Sequence, residues 1–208
     1  MKLDELFAVD EAHVIGSAVR LDEIPPQYRR LPVLGRGATT IALAKDEDTA
    51  ILFTRDEMKS DWLRNGIHIV THREVVVPAR AHHLAGMNDI ELWMLEMPRL
   101  RKLSPENARR VRQELKTFTE ILTKHQHKIR NPHGVISAVS AEYDDEHPDS
   151  LLAPLFYWLL NYDPSQYHLD LGQRQFLETM DGEIVLVDPV VSSELMAIFH
   201  RNQFAGWM

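Results

Sequence analysis

The sequence predicts an α+β fold in two lobes, a strand-rich lobe over 31–97 and a helical lobe over 98–208, preceded by an N-terminal extension over 1–30. Three observations predict it. Short apolar runs bounded by turn residues fill the stretch before Pro98. Beyond it Val111, Leu115, Phe118 and Leu122 recur at helical spacing. Near the C-terminus Asp181-Gly182, a strong two-residue turn, separates two further apolar runs.

Composition narrows the function classes. The chain has 208 residues, of which 44% are hydrophobic, enough for a real core. A net charge of −8 argues against a nucleic-acid binder, which needs a basic face, and suits a basic protein partner or simple solubility. Without cysteine there is no disulfide framework, thiolate zinc site or cysteine nucleophile. The start, Met-Lys-Leu-Asp-Glu-Leu-Phe, lacks a signal-peptide apolar core, and no apolar run reaches membrane-spanning length. The expectation is a soluble cytoplasmic protein with no membrane contact. Oligomeric state is not legible.

Taken in order, Pro25-Pro26 interrupts the extension, which is expected to pack on the first sheet. Leu31 to Lys45 reads as two strands around a turn of small residues, Gly35-x-Gly37 followed by Thr40. Thr49 to Phe53 is the next strand, Asp56 to Asn65 a short helix ended by Gly66, and Val75–Val77 and Ile90–Leu95 two more strands. His68, His72, His82 and His83 have no fixed ligand spacing and read as solvated or core histidines. Ser104-Pro105-Glu106 opens a helix running to about Lys128. Asn131 to Asp149 reads as an acidic loop, Ser150 to Leu160 as a buried helix, and Ser193 to His200 as a last short helix before an apolar tail. The stretch from Tyr167 to Val190 gathers the chemistry: a loop with Asp170, a strand opened by Gln175, the Asp181-Gly182 hairpin, and a return strand that delivers Asp188-Pro189. Bringing two carboxylates and an amide together is a way to hold a divalent cation and a reacting hydroxyl.

These residues resemble the catalytic loop and metal-binding segment of protein kinases: His168-x-Asp170, then Gln175 five residues on, a hairpin, and Asp188 on the next strand. Leu-Gly35-x-Gly37-x-x-Thr40 resembles the glycine-rich loop over ATP phosphates. Asp-Pro-Val at 188–190 is similar to the early Ser/Thr protein kinases of T7-type bacteriophages, and Asp-Pro also occurs in some antibiotic phosphotransferases. The resemblance covers roughly 31–190. It implies a two-lobed protein-kinase-like fold with a reduced C-lobe and a hinge at Glu96-Met97-Pro98. By the same resemblance Asp170 is the catalytic base, Gly35, Gly37, Gln175 and Asp188 bind the nucleotide, and Gln175 and Asp188 hold Mg²⁺. The sequence departs from the pattern at Leu52, which stands where the family has its phosphate-holding lysine, with Arg55 or Lys59 as possible replacements.

Three functions follow: a phage-type Ser/Thr kinase using ATP and Mg²⁺ on host proteins, a degenerate kinase fold that binds and inhibits a host protein, or a small-molecule phosphotransferase.

Overall fold

The computed structural model describes residues 18–77, 86–129 and 131–205. The chain is mixed α+β, with a five-stranded antiparallel sheet and, among the described residues, five α-helices. It divides into two compact units. Within the described residues one spans 18–99 and 191–205, the other the remainder between Leu100 and Val190.

The first unit is built on strands β1 (Val33–Arg36), β2 (Thr40–Ala44), β3 (Thr49–Thr54), β4 (His72–Val76) and β5 (Leu92–Pro98), in the order β1-β2-β3-β5-β4. Helix α1 (Glu57–Asp61) and a one-turn π segment (Trp62–Gly66) lie between β3 and β4 in the chain, so the expected order of elements holds. The register sets Ile41 opposite Phe53 and Phe53 opposite Met94, and because side chains alternate along a strand these share one face. On that face Ile41, Leu43, Ile51, Phe53, Leu92 and Met94 form a core with Val19 and Ile24, so the segment before β1 packs on the sheet. Glu96 to Pro98, expected as a hinge, finish β5 instead, opposite Ile51, Ala50 and Thr49.

The C-terminal helix, α5 (Ser193–Ala205), belongs to this sheet unit rather than to the helical one expected over 98–208. The cause is apolar: Leu195, Met196, Ile198 and Phe199 bury against Ala18 and Met87, each large side chain contributing about 1.5–3 kcal/mol. Asp56, which caps α1 by accepting from the Lys59 N–H at 3.2 Å, also accepts from the Ser192 N–H at 3.3 Å, just ahead of α5.

The second unit contains α2 (Pro105–Gln126), α3 (Pro132–Glu146) and α4 (Ala153–Leu159), followed by β6 (Tyr167–Leu169) and the hairpin β7 (Phe176–Glu178) and β8 (Ile184–Leu186). Ser104 caps α2 as expected, accepting from the Asn107 N–H. The stretch over 131–149 is mainly helix, not loop: Asn131 caps α3 with Pro132 at its first position, and Val135, Ile136, Val139 and Tyr143 bury one face. Phe156 of α4 stacks between Phe118 and Tyr143, with ring centroids 5.5 and 5.4 Å away. α4 is shorter than expected and less fully buried, since Tyr157 is 68% exposed. Among the described residues no helix is long and apolar enough to cross a membrane. His82, His83, residues 1–17 and the tail at 206–208 lie outside the described residues.

Candidate functional site

The helical unit brings Asp170, Gln175 and Asp188 together as the hairpin predicts. β7 pairs with β8 through Phe176–Leu186, Leu177–Val185 and Glu178–Ile184, and the Val187 N–H donates to the Gln175 carbonyl at 2.8 Å. Gly182 has φ +90°, a left-handed conformation that glycine adopts freely, so the turn residue read from sequence is the one the backbone requires. On the other side the Asp170 N–H donates to the Pro189 carbonyl at 2.9 Å, which fixes the Asp170 loop beside the end of the return strand.

The side chains are supported in turn. Gln175 is 4% exposed, and its amide Nε2 donates to Asp170 Oδ2. The Arg174 Nη2 donates to both carboxylate oxygens of Asp170, at 3.1 and 3.3 Å. Arg174 is a residue that sequence reasoning missed, although its spacing of four from Asp170 was visible. Burial pushes the Asp170 carboxyl pKa up, and the Asp188 carboxylate adds to the rise. The Arg174 charge, its hydrogen bonds and that of Gln175 act in the opposite direction. A carboxylate with a raised pKa, held by two donors near a second carboxylate, marks this loop as a candidate functional site.

The hairpin is anchored by Glu178, which is 1% exposed. Its carboxylate accepts from the Ser104 N–H at 2.9 Å, Asn107 Nδ2 at 2.6 Å and Arg101 Nε at 2.8 Å. Asn107 also donates to the Gly182 carbonyl at 2.9 Å. The start of α2 therefore holds both the β7 strand and the turn that position Gln175 and Asp188. The Ser104 backbone N–H, then Asn107, lower the Glu178 pKa to about 2.

In the sheet unit, Gly35 and Gly37 lie on the β1–β2 hairpin. Neither has positive φ, and a Cβ at either position would meet no atom within 4 Å, so packing within the chain does not demand glycine at either. The Gly37 N–H, however, donates to the Thr40 carbonyl at 2.8 Å and closes the turn, which removes it from the donors that could face a phosphate. Thr40 is buried and donates its hydroxyl to Thr54 Oγ1 at 3.0 Å, a structural role. Leu52 is half-buried on β3, opposite Ala42 and Leu95.

Arg55 does not stand in for the missing lysine. It is 1% exposed and donates to the carbonyls of Ala18 at 3.1 Å, Met87 at 3.3 Å and Ile90 at 2.5 Å, with Glu23 at 3.6 Å as its ion-pair partner. Its guanidinium ties three chain segments together. Lys59 is buried on α1.

Asp188 and Gln175 offer oxygens of the kind Mg²⁺ takes, with Asp170 close by. Among the described residues no cluster of three His, Asp or Glu side chains that could hold a metal ion forms. In the sheet unit, position 52, where the resemblance expects a lysine, is a leucine. No family model, curated protein or solved structure matches this chain.

Proposed function

We propose that the chain is a protein-kinase-like phosphotransferase of low activity, moving the terminal phosphoryl group of ATP to a hydroxyl on a host protein. The observation that carries this reading is Asp170: a half-buried carboxylate near Asp188, with its pKa raised, gripped by Arg174 and Gln175. A half-buried carboxylate with dedicated donors beside a second acid is suited to proton transfer. Asp170 orients the acceptor hydroxyl and takes its proton while the oxygen bonds to phosphorus and the bond to the departing diphosphate breaks. Asp188 and Gln175 would hold Mg²⁺, which when bound neutralises phosphate charge. The order of strands and helix in the sheet unit also agrees with the resemblance.

A second reading, a kinase-shaped binder of a host protein, is favoured by one specific observation: Leu52 stands where the resemblance expects the phosphate-holding lysine, and Arg55 is engaged by backbone carbonyls and Glu23. Transfer of labelled phosphate from ATP and Mg²⁺, assayed against mixed host proteins and against small hydroxyl acceptors, separates the readings. Slow transfer to protein is expected. Transfer only to small acceptors would make this a small-molecule phosphotransferase, and transfer to neither would leave the binder.

A further inference from the structure

Helix α2 carries a basic stripe that reaches the Asp170 loop. Arg109, Arg112 and Lys116 are spaced three and four residues apart, so they share one face of the helix, and all three are exposed. The stripe runs against the net charge of −8. Little within the chain neutralises it. Arg109 Nε donates to the Pro105 carbonyl at 3.3 Å, and Arg112 Nη1 to Gln173 Oε1 at 3.4 Å, both neutral acceptors. Lys116 meets Glu120 at 3.8 Å with the two side chains 68% and 66% exposed, a pairing worth little.

The Arg112–Gln173 contact joins the stripe to the candidate site. Gln173 precedes Arg174, whose half-exposed guanidinium holds the Asp170 carboxylate. The arrangement is fixed, because the start of α2 is bound to β7 through Glu178. A row of cationic groups therefore leads along α2 to the loop of the proposed base.

We infer that the α2 stripe docks an acidic, extended segment of a partner protein beside Asp170. The segment is the acceptor of the proposed phosphoryl transfer, so its chemistry rests on that reading, whereas its docking needs no ATP. Charge complementarity selects the occupant. A guanidinium matches a carboxylate with paired N–H···O bonds. Arg109 and Lys116 are separated by about 10 Å of helical rise, so one small anion cannot reach both ends, while an extended chain with several carboxylates can. A basic segment is repelled by the same groups.

The test uses the full chain and a fluorescent peptide with one serine among glutamates, beside versions with glutamine or lysine in place of the glutamates. Anisotropy without ATP reads docking, and transfer of labelled phosphate from ATP and Mg²⁺ reads chemistry. The acidic peptide should bind saturably below millimolar concentration, the glutamine version about tenfold more weakly or worse, and the lysine version not at all. Added salt should weaken the acidic peptide most. Arg112→Gln, at an exposed position, should weaken it about tenfold, the loss of one charge-assisted contact. Arg110→Gln removes the same charge from a side chain that lines the cleft beside 146–150, off the stripe, and should matter less. Acid-selective docking without transfer would keep the docking surface and remove the phosphotransferase. Transfer to all three peptides alike would overturn the inference and leave the phosphotransferase standing. No binding of the acidic peptide at millimolar concentration, equal binding of all three, preference for a single-stranded oligonucleotide, or indifference to Arg112→Gln would also overturn it.

Discussion

In the helical unit two acids have donors from their own unit: Arg174 and Gln175 hold Asp170, and the start of α2 holds Glu178 and through it the hairpin. In the sheet unit the position expected to carry a phosphate-binding charge is Leu52, and the nearby arginine pins Ala18, Met87 and Ile90. The difference teaches where function and folding compete. A buried charge persists where neighbours satisfy it, whereas the centre of an antiparallel sheet is held by apolar cross-strand pairs such as Leu52 with Leu95, which an unpaired ammonium would disturb. One unit gathers acids around the hairpin, while the other uses its charge to tie chain segments together.

The largest effect should come from Asp170. Asp170→Asn keeps the shape and removes the proton acceptor, so transfer should fall by about 10²–10⁴ with nucleotide affinity unchanged. Parallel rate and binding measurements check this. Equal activity of wild type and variant would remove the base from the account.

Leu52→Lys tests the other side of the comparison. It should raise nucleotide affinity and increase the transfer rate on the order of 10², the magnitude associated with one transition-state charge contact. It should also lower Tm, because Leu52 is half-buried between Ala42 and Leu95. An unchanged affinity in a folded variant would mean that this position does not address phosphate.

Gly66→Ala probes how tightly the sheet unit is packed. A Cβ there would collide with the Trp62 ring, which is 1% exposed and unable to yield. A loss of about 1–3 kcal/mol in denaturant unfolding is expected, and a neutral result would show that the π segment can shift.

The smallest expected effect concerns acid stability in the helical unit. The Glu178 pKa is depressed from 4.5 to about 2 on folding, so its stabilisation is complete above pH 4.5 and is lost as pH falls towards 2. Thermal melts across that window should show a steeper decline for wild type than for Glu178→Gln. Identical slopes would mean that other carboxylates govern acid unfolding.

The sequence displayed the parts whose signals are local. The Gly35–Gly37 hairpin, the β7–β8 hairpin with Gly182 at positive φ, and the Ser104 cap each rest on turn or cap chemistry and formed where expected. Helix α3 was hidden because Ser137, Ser140 and the Asp144-Asp145-Glu146 run dilute its apolar face and put acids at its C-terminal end, where the helix dipole disfavours them. Its Asn131-Pro132 start was the overlooked signal. The grouping of α5 with the sheet depends on contacts with Ala18 and Met87 far back in the chain, which no local pattern reports. The engagement of Arg55 was equally non-local: its partners lie 32 to 37 residues away.

The most direct test of the central claim is calorimetry of the wild-type chain with millimolar ATP, with and without Mg²⁺, repeated with Asp188→Ala. The account predicts weak binding that requires Mg²⁺ and disappears in Asp188→Ala, since the retained acids act on phosphate only through a cation. Binding that is indifferent to Mg²⁺ or to Asp188→Ala, or no binding at all, would contradict it.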